Sequence, residues 1–199
     1  MHSTLMTLAF AAAFFGTSAA QASPVTFSTV LNGANEFPAN ASPGTGMATV
    51  DFDLAAHTMR VRIDFSGLSS PTLVAHIHCC TAVANAGNVG VATATPSFPG
   101  FPSGVTTGSY DYLFDTSVAG TYNIAFITAN GGSAAGAEAA LFAGMGAAES
   151  YVNIHSAAFP AGEIRGFLEV PEPGSLTLMG LGLAGLAFSV RKKQKKVVC

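Results

Sequence analysis

Between residues 58 and 65, apolar and charged side chains take strict turns: Met59, Val61, Ile63 and Phe65 alternate with Arg60, Arg62 and Asp64. A period of two puts one set of side chains on each face of an extended strand and cannot build the apolar stripe of a helix. Residues 46–53 carry a weaker form of the same pattern, and only residues 54–57 separate the two segments, so they are expected to pair as an antiparallel hairpin. Further strands are expected at 25–31, 73–78, 88–94, 109–114, 121–128, 151–155 and 163–170. Many short strands punctuated by Gly and Pro predict an all-β fold, an antiparallel β-sandwich with Greek-key connections of the immunoglobulin or dismutase kind. The Ala-rich segment 133–143, with Glu138, Leu141 and Phe142, reads as one short helix or compact loop ending at Gly144. Residues 95–104 contain three prolines and two aromatics and are expected to form a loop outside the ladder.

The two ends of the chain do not belong to this domain. Residues 5–15 are apolar, and Ala20-Gln21-Ala22 fits a signal-peptidase site, with cleavage expected between Ala22 and Ser23. The support is the apolar run and the A-x-A box, since His2 is the sole basic group ahead of them. Near the other end, residues 175–190 are uncharged and run into Arg191, Lys192, Lys193, Lys195 and Lys196. As a helix that stretch reaches about 24 Å, and flanking Arg and Lys stems can snorkel to complete the roughly 30 Å hydrocarbon core. The basic cluster is expected to stay cytoplasmic, which puts everything before it outside. Gly180-Leu181-Gly182-Leu183-Ala184-Gly185 spells a dinucleotide fingerprint, but the strand, soluble helix and downstream acid that the fingerprint needs are missing. The expected organisation is a signal peptide at 1–22, one domain at 23–170, and a tail at 171–199.

Charge separates these parts. The chain is 49% hydrophobic and only 10% charged, with a formal net charge of −3. Its near-neutrality is a cancellation: residues 23–170 hold ten acids against Arg60, Arg62 and Arg165, with no lysine, for a net charge near −7. Such a body disfavours nucleic acid as a partner. Its length suits a single core.

His76 and His78 are two apart on an expected strand, so both rings leave the same face, and His155 ends another strand on which Tyr151, Asn153 and His155 share a side. An H-x-H on one strand with a third His from another can hold copper or zinc; the alternative is that the rings hydrogen-bond backbone or carboxylates at the end of a sheet. Cys79 and Cys80 follow at once and could add a soft ligand. In an exported protein the pair could also form a strained vicinal disulfide or bridge between chains; Cys199 is expected on the cytoplasmic side, away from them. Glu163 and Arg165, spaced by two, are expected to fix the sheet or pair with Asp64 or another acid rather than act as catalytic acid and base. No Ser-His-Asp order, P-loop or paired-carboxylate cleft stands out, so no catalytic residue is assigned. Asn40-Ala41-Ser42 is a formal glycosylation sequon.

Pro171-Glu172-Pro173, the Gly-rich apolar stretch and the basic end, in that order from Val170 onward, resemble the PEP-CTERM sorting signal of Gram-negative bacteria that secrete exopolysaccharide. The resemblance implies that an exosortase-type membrane transpeptidase removes the tail near Pro171, Glu172 and Pro173 and delivers the body to the cell surface or extracellular matrix. Before that, the chain would be held transiently in the inner membrane. The body resembles the CHRD family, first named from chordin. The likeness rests on Leu31-Asn32-Gly33 with Glu36-Phe37-Pro38, Gly46-Met47-Ala48, Phe65-Ser66-Gly67-Leu68, Ala75-His76-Ile77-His78, Tyr151-Val152-Asn153-Ile154-His155 and Gly162-Glu163-Ile164-Arg165-Gly166. It departs from the common pattern at Cys79-Cys80. The family implies an all-β extracellular module. Two functions follow as expectations. One is a non-enzymatic surface or matrix module that binds exopolysaccharide, a matrix protein or itself. The other is a copper or zinc protein, a metal-dependent oxidoreductase of dismutase-like kind using His76, His78 and His155, although net acidity opposes steering of superoxide.

Overall fold

A computed structural model describes residues 23–171. Seven strands form one curled antiparallel sheet: β1 (Val25–Asn32), β2 (Thr45–Asp53), β3 (Thr58–Ser66), β4 (Thr72–His78), β5 (Gly108–Asp115), β6 (Tyr151–Ser156) and β7 (Ile164–Phe167), in the order β4-β6-β7-β1-β2-β3-β5. Two helices, α1 (Ile124–Ala129) and α2 (Ala134–Gly146), connect β5 to β6.

The alternation in β2 and β3 becomes a hairpin in which Val50 opposes Val61 and Phe52 opposes Met59. Their apolar members point into the core, while Arg60 and Arg62 reach across the outer face to Asp111 and Asp51. At the hairpin turn His57 adopts a φ of 53°, and its Nδ1 lies 2.9 Å from Glu138 of α2. That helix covers the inner face: Phe142 meets Phe27 and Phe52 edge-on, with ring centres 6.0 and 5.3 Å apart. The 95–104 loop lies outside the ladder, as expected, and bridges the two edge strands. Phe98 N–H donates to the Ala75 carbonyl of β4 at 3.0 Å while the Phe98 ring stacks on Tyr110 of β5.

The β4–β6–β7 region differs from the rest of the sheet because both of its faces are covered. Ala75, Ile77, Val152, Ile154 and Ile164 enter the apolar core. His76, His78, Tyr151, Asn153, His155 and Arg165 are also buried, forming a second, polar layer. The seam joining this region to β1 is narrow, with Asn32 opposite Arg165 and a further bridge between Ser28 and Glu169. Gly166 permits it, since a Cβ there would collide with the Thr29 hydroxyl and the Val30 carbonyl.

Four sequence expectations change. Residues 88–94 are not a strand, because side-chain hydroxyls replace a partner ladder along β4: Thr93 Oγ1 accepts from Ile77 N–H and Ser97 Oγ from Ala75 N–H, both at 3.0 Å. This also protects an edge strand from foreign pairing. Residues 121–128 turn into α1, because the Asn123 side chain accepts the Ala125 N–H as a helix cap and stops an extended run. The strand expected at 163–170 is shorter, and α2 continues past Gly144, where the missing side chain makes room for the sulfurs of Cys79 and Cys80. The all-β antiparallel class expected from the sequence holds, and the curled seven-stranded sheet is consistent with a sandwich. The expected signal peptide, and the transmembrane helix at 175–190, lie outside the described residues, among which no helix is long and apolar enough to cross a membrane.

Gly166→Ala should lower stability by about 1–3 kcal/mol through overpacking against backbone, whereas Gly120→Ala, which meets open space, should change it by less than about 0.5 kcal/mol. Urea midpoints of the two variants check this; equal midpoints would contradict the tight seam.

Candidate metal centre

The β4–β6 register sets His76 opposite Asn153, His78 opposite Tyr151 and Val74 opposite His155. The three imidazoles therefore cluster on the outer face, His155 lying diagonally across from His76. They are 6%, 8% and 8% exposed respectively, with ring centres 5.8 Å (His76–His78), 5.4 Å (His76–His155) and 6.2 Å (His78–His155) apart.

Each ring is held by a different loop. His76 Nε2–H donates to the Pro96 carbonyl at 2.6 Å, His78 Nδ1–H to the Val89 carbonyl at 2.8 Å, and His155 Nδ1–H to the Pro160 carbonyl at 3.0 Å. A carbonyl can only accept, so these contacts place the hydrogen and leave His76 Nδ1, His78 Nε2 and His155 Nε2 as bare acceptors. All three are buried without a hydrogen-bond partner. The three rings offer ligand atoms within 4.8 Å of one another. A buried acceptor without a donor costs about 1–3 kcal/mol, and here three occur together.

Electrostatics keeps the rings neutral. Burial lowers the pKa of all three; for His78 the value falls to about 4, with His76, His155 and Arg165 adding to the effect. Neutral imidazole is the ligating form. The donor set suits copper or zinc, and the carbonyls supply the outer contacts that orient ligating histidines.

Arg165 stabilises this layer from the side. Its guanidinium lies 4.6 Å from the centre of the Tyr151 ring, which stacks on His78 at 4.7 Å. It donates to the carbonyls of Asn35 and Gly87 and to the Asn88 side chain, and it stands 3.8 Å from Glu36. Asp64 is not its partner. Burial pushes the Glu36 carboxyl up to about 7 although Arg165 pulls the other way. Glu163 is tied elsewhere: its Oε1 accepts from Ser42 Oγ at 2.6 Å and from Ser69 N–H at 2.5 Å. Burial works to raise its pKa, but Ser156, Ser42 and Ser69 together hold it below the usual carboxylate range. Both residues thus fix the sheet, and Gly166 seats it against β1.

Cys79 and Cys80 are bonded to each other, and their sulfurs face Ala140 and Gly144 of α2. The structure does not bring them to the histidines. Of the expected processing residues, Ser23 and Pro171 are exposed at the ends of the described segment; Ala22, Glu172 and Pro173 lie outside it. An open groove of about 560 Å³ is lined by Asn35, Glu36, Phe37, Arg165 and Phe167, and by none of the three histidines. That groove is therefore not the site of the cluster. Sequence reasoning did not assign Glu36, Tyr151 and Asn153 to the site. Tyr151 and Asn153 were readable from their shared side with His155, whereas Glu36 carries no local signal.

In class, the molecule is a small antiparallel β module with a buried polar layer built round three neutral imidazoles. The chain belongs to the CHRD domain family, which it matches over residues 27–168, and residues 169–193 match the PEP-CTERM protein-sorting motif. That motif marks the chain for an exosortase-type export and sorting system. Comparison with curated proteins and with solved structures found no match.

The neutral rings set a sign for acid stability. The unfolded chain protonates these histidines near pH 6.5 and the folded chain protonates His78 only near 4, so metal-free protein loses stability as pH falls through that interval. Glu36 works oppositely: its carboxyl, raised from 4.5 to about 7, is protonated first in the folded state and adds stability as pH falls between those values. Denaturation midpoints from pH 7 to 4 should fall more steeply in Glu36→Gln and less steeply in His78→Gln than in the parent. The reverse order would contradict the assignment.

Proposed function

We propose that the chain is an exported surface or matrix module that works by binding or structure rather than turnover, and that its body holds one copper or zinc ion on His76, His78 and His155. On this reading the amino-terminal segment directs export, the apolar tail stops in the inner membrane with its basic end in the cytoplasm, and the exosortase-type transpeptidase cuts near Pro171-Glu172-Pro173. The observation that carries the metal reading is the set of three buried, unpartnered nitrogens on one face of β4 and β6. Binding rather than catalysis is favoured because the rings do not line the open groove and the body is acidic.

Two measurements test this. Protein purified from the surface of an exosortase-bearing host should carry about one equivalent of transition metal by elemental analysis, and the triple variant His76→Ala, His78→Ala, His155→Ala under about a tenth. Parent protein with under a tenth would contradict the metal reading. Mass spectrometry of the same material should show a chain ending near Pro171 without Cys199; an intact Cys199 at the surface would contradict tail removal.

A further inference from the structure

Resting on that reading of the three histidines, we infer that the site is built for monovalent copper in a flat, three-coordinate arrangement, not for a four-coordinate dication.

The spacing of the rings carries the inference. A metal about 2.0 Å from an imidazole nitrogen lies about 3.2 Å from the centre of that ring. Three imidazoles arranged in a plane around it then have centres about 5.5 Å apart, and three on a tetrahedral ion about 5.2 Å. The observed separations of 5.4, 5.8 and 6.2 Å lie nearer the planar value or beyond it, and all exceed the tetrahedral one. The point closest to all three centres lies in their plane. A tetrahedral ion must rise out of that plane toward its fourth ligand, which lengthens every bond to a triangle already wide. Closing the nitrogens from within 4.8 Å of one another to the roughly 3.5 Å of a trigonal site needs inward rotation of the rings, and the carbonyls of Pro96, Val89 and Pro160 serve as pivots.

Charge and donor type favour the same ion. The candidate ligand group contains no carboxylate and no thiolate. A dication would therefore keep its full double charge, unless a bound water gave up a proton, in a buried layer that already contains Arg165, stacked one aromatic ring away from His78. Glu36, the carboxylate of that layer, is engaged with Arg165. Asn153 turns its amide toward the space beside Gly162 that Glu36 also faces. A single positive charge costs less in such surroundings than two. A d10 monovalent ion accepts three nitrogen donors, whereas divalent copper prefers a tetragonal set of four or more and zinc a tetrahedral one.

The test uses the exported protein purified from the host and stripped of metal by a chelator. Under anaerobic conditions it is titrated with tetrakis(acetonitrile)copper(I) against bicinchoninate, and separately with zinc chloride against a chromogenic zinc chelator. The expected result is one copper(I) per chain, bound at least 100-fold more tightly than zinc, with three nitrogen scatterers near 2.0 Å by X-ray absorption. His78→Ala should weaken copper(I) binding about 100-fold; if that variant does not fold, the absorption spectrum of the parent decides alone. Zinc bound as tightly as copper(I), or a four-coordinate copper shell, would overturn the inference and leave the metal centre standing. Failure to bind either ion would overturn both.

Discussion

Three backbone carbonyls, of Pro96, Val89 and Pro160, each accept an N–H from a histidine on β4 or β6, and the polar half of the molecule is organised round those bonds. They draw three separate loops over a sheet face that would otherwise meet water. They fix which nitrogen carries hydrogen and turn three acceptors toward one another. Their burial holds the rings neutral, since a charged imidazole would lose hydration that the surrounding groups do not replace.

This explains why one sheet has two kinds of strand. In β2 and β3 one face is apolar and one is wet, and alternation follows directly. In β6 every residue is buried, although Tyr151, Asn153 and His155 are polar or partly polar. The difference is compensated by Arg165, which packs on the Tyr151 ring from β7 and bonds the loops around it, and by Gly166, whose lack of a side chain lets β7 approach β1. On the opposite face, the linked Cys79 and Cys80 rest on α2 at Gly144, so the strand that supplies two candidate ligands is anchored from below as well.

What was legible in the sequence follows from these physics. The hairpin and five further strands, β7 at about half its expected length, could be read, most directly β2 and β3, where a half-buried strand writes its two faces into alternate residues. Residues 88–94 and 121–128 misled, because the deciding interactions were hydroxyls replacing a ladder and an Asn side chain capping a helix. Two residues of spacing sufficed to put His76 and His78 on one face; their meeting with His155 depended on the β4–β6 register, which alternation alone does not determine. The carbonyls that set the tautomers are backbone atoms and leave no trace in residue identity. Glu36 reaches Arg165 from the far end of the chain, a pairing visible only once β1 and β7 are side by side.

The central claim is the tautomeric state of the trio, and long-range proton–nitrogen correlation NMR of metal-free, nitrogen-15-labelled protein at pH 7 measures it directly. The account predicts neutral rings with hydrogen on Nε2 of His76 and on Nδ1 of His78 and His155, and loss of the bare-nitrogen shifts when metal is added. Hydrogen on the opposite nitrogen of any of the three, or a doubly protonated ring, would contradict it.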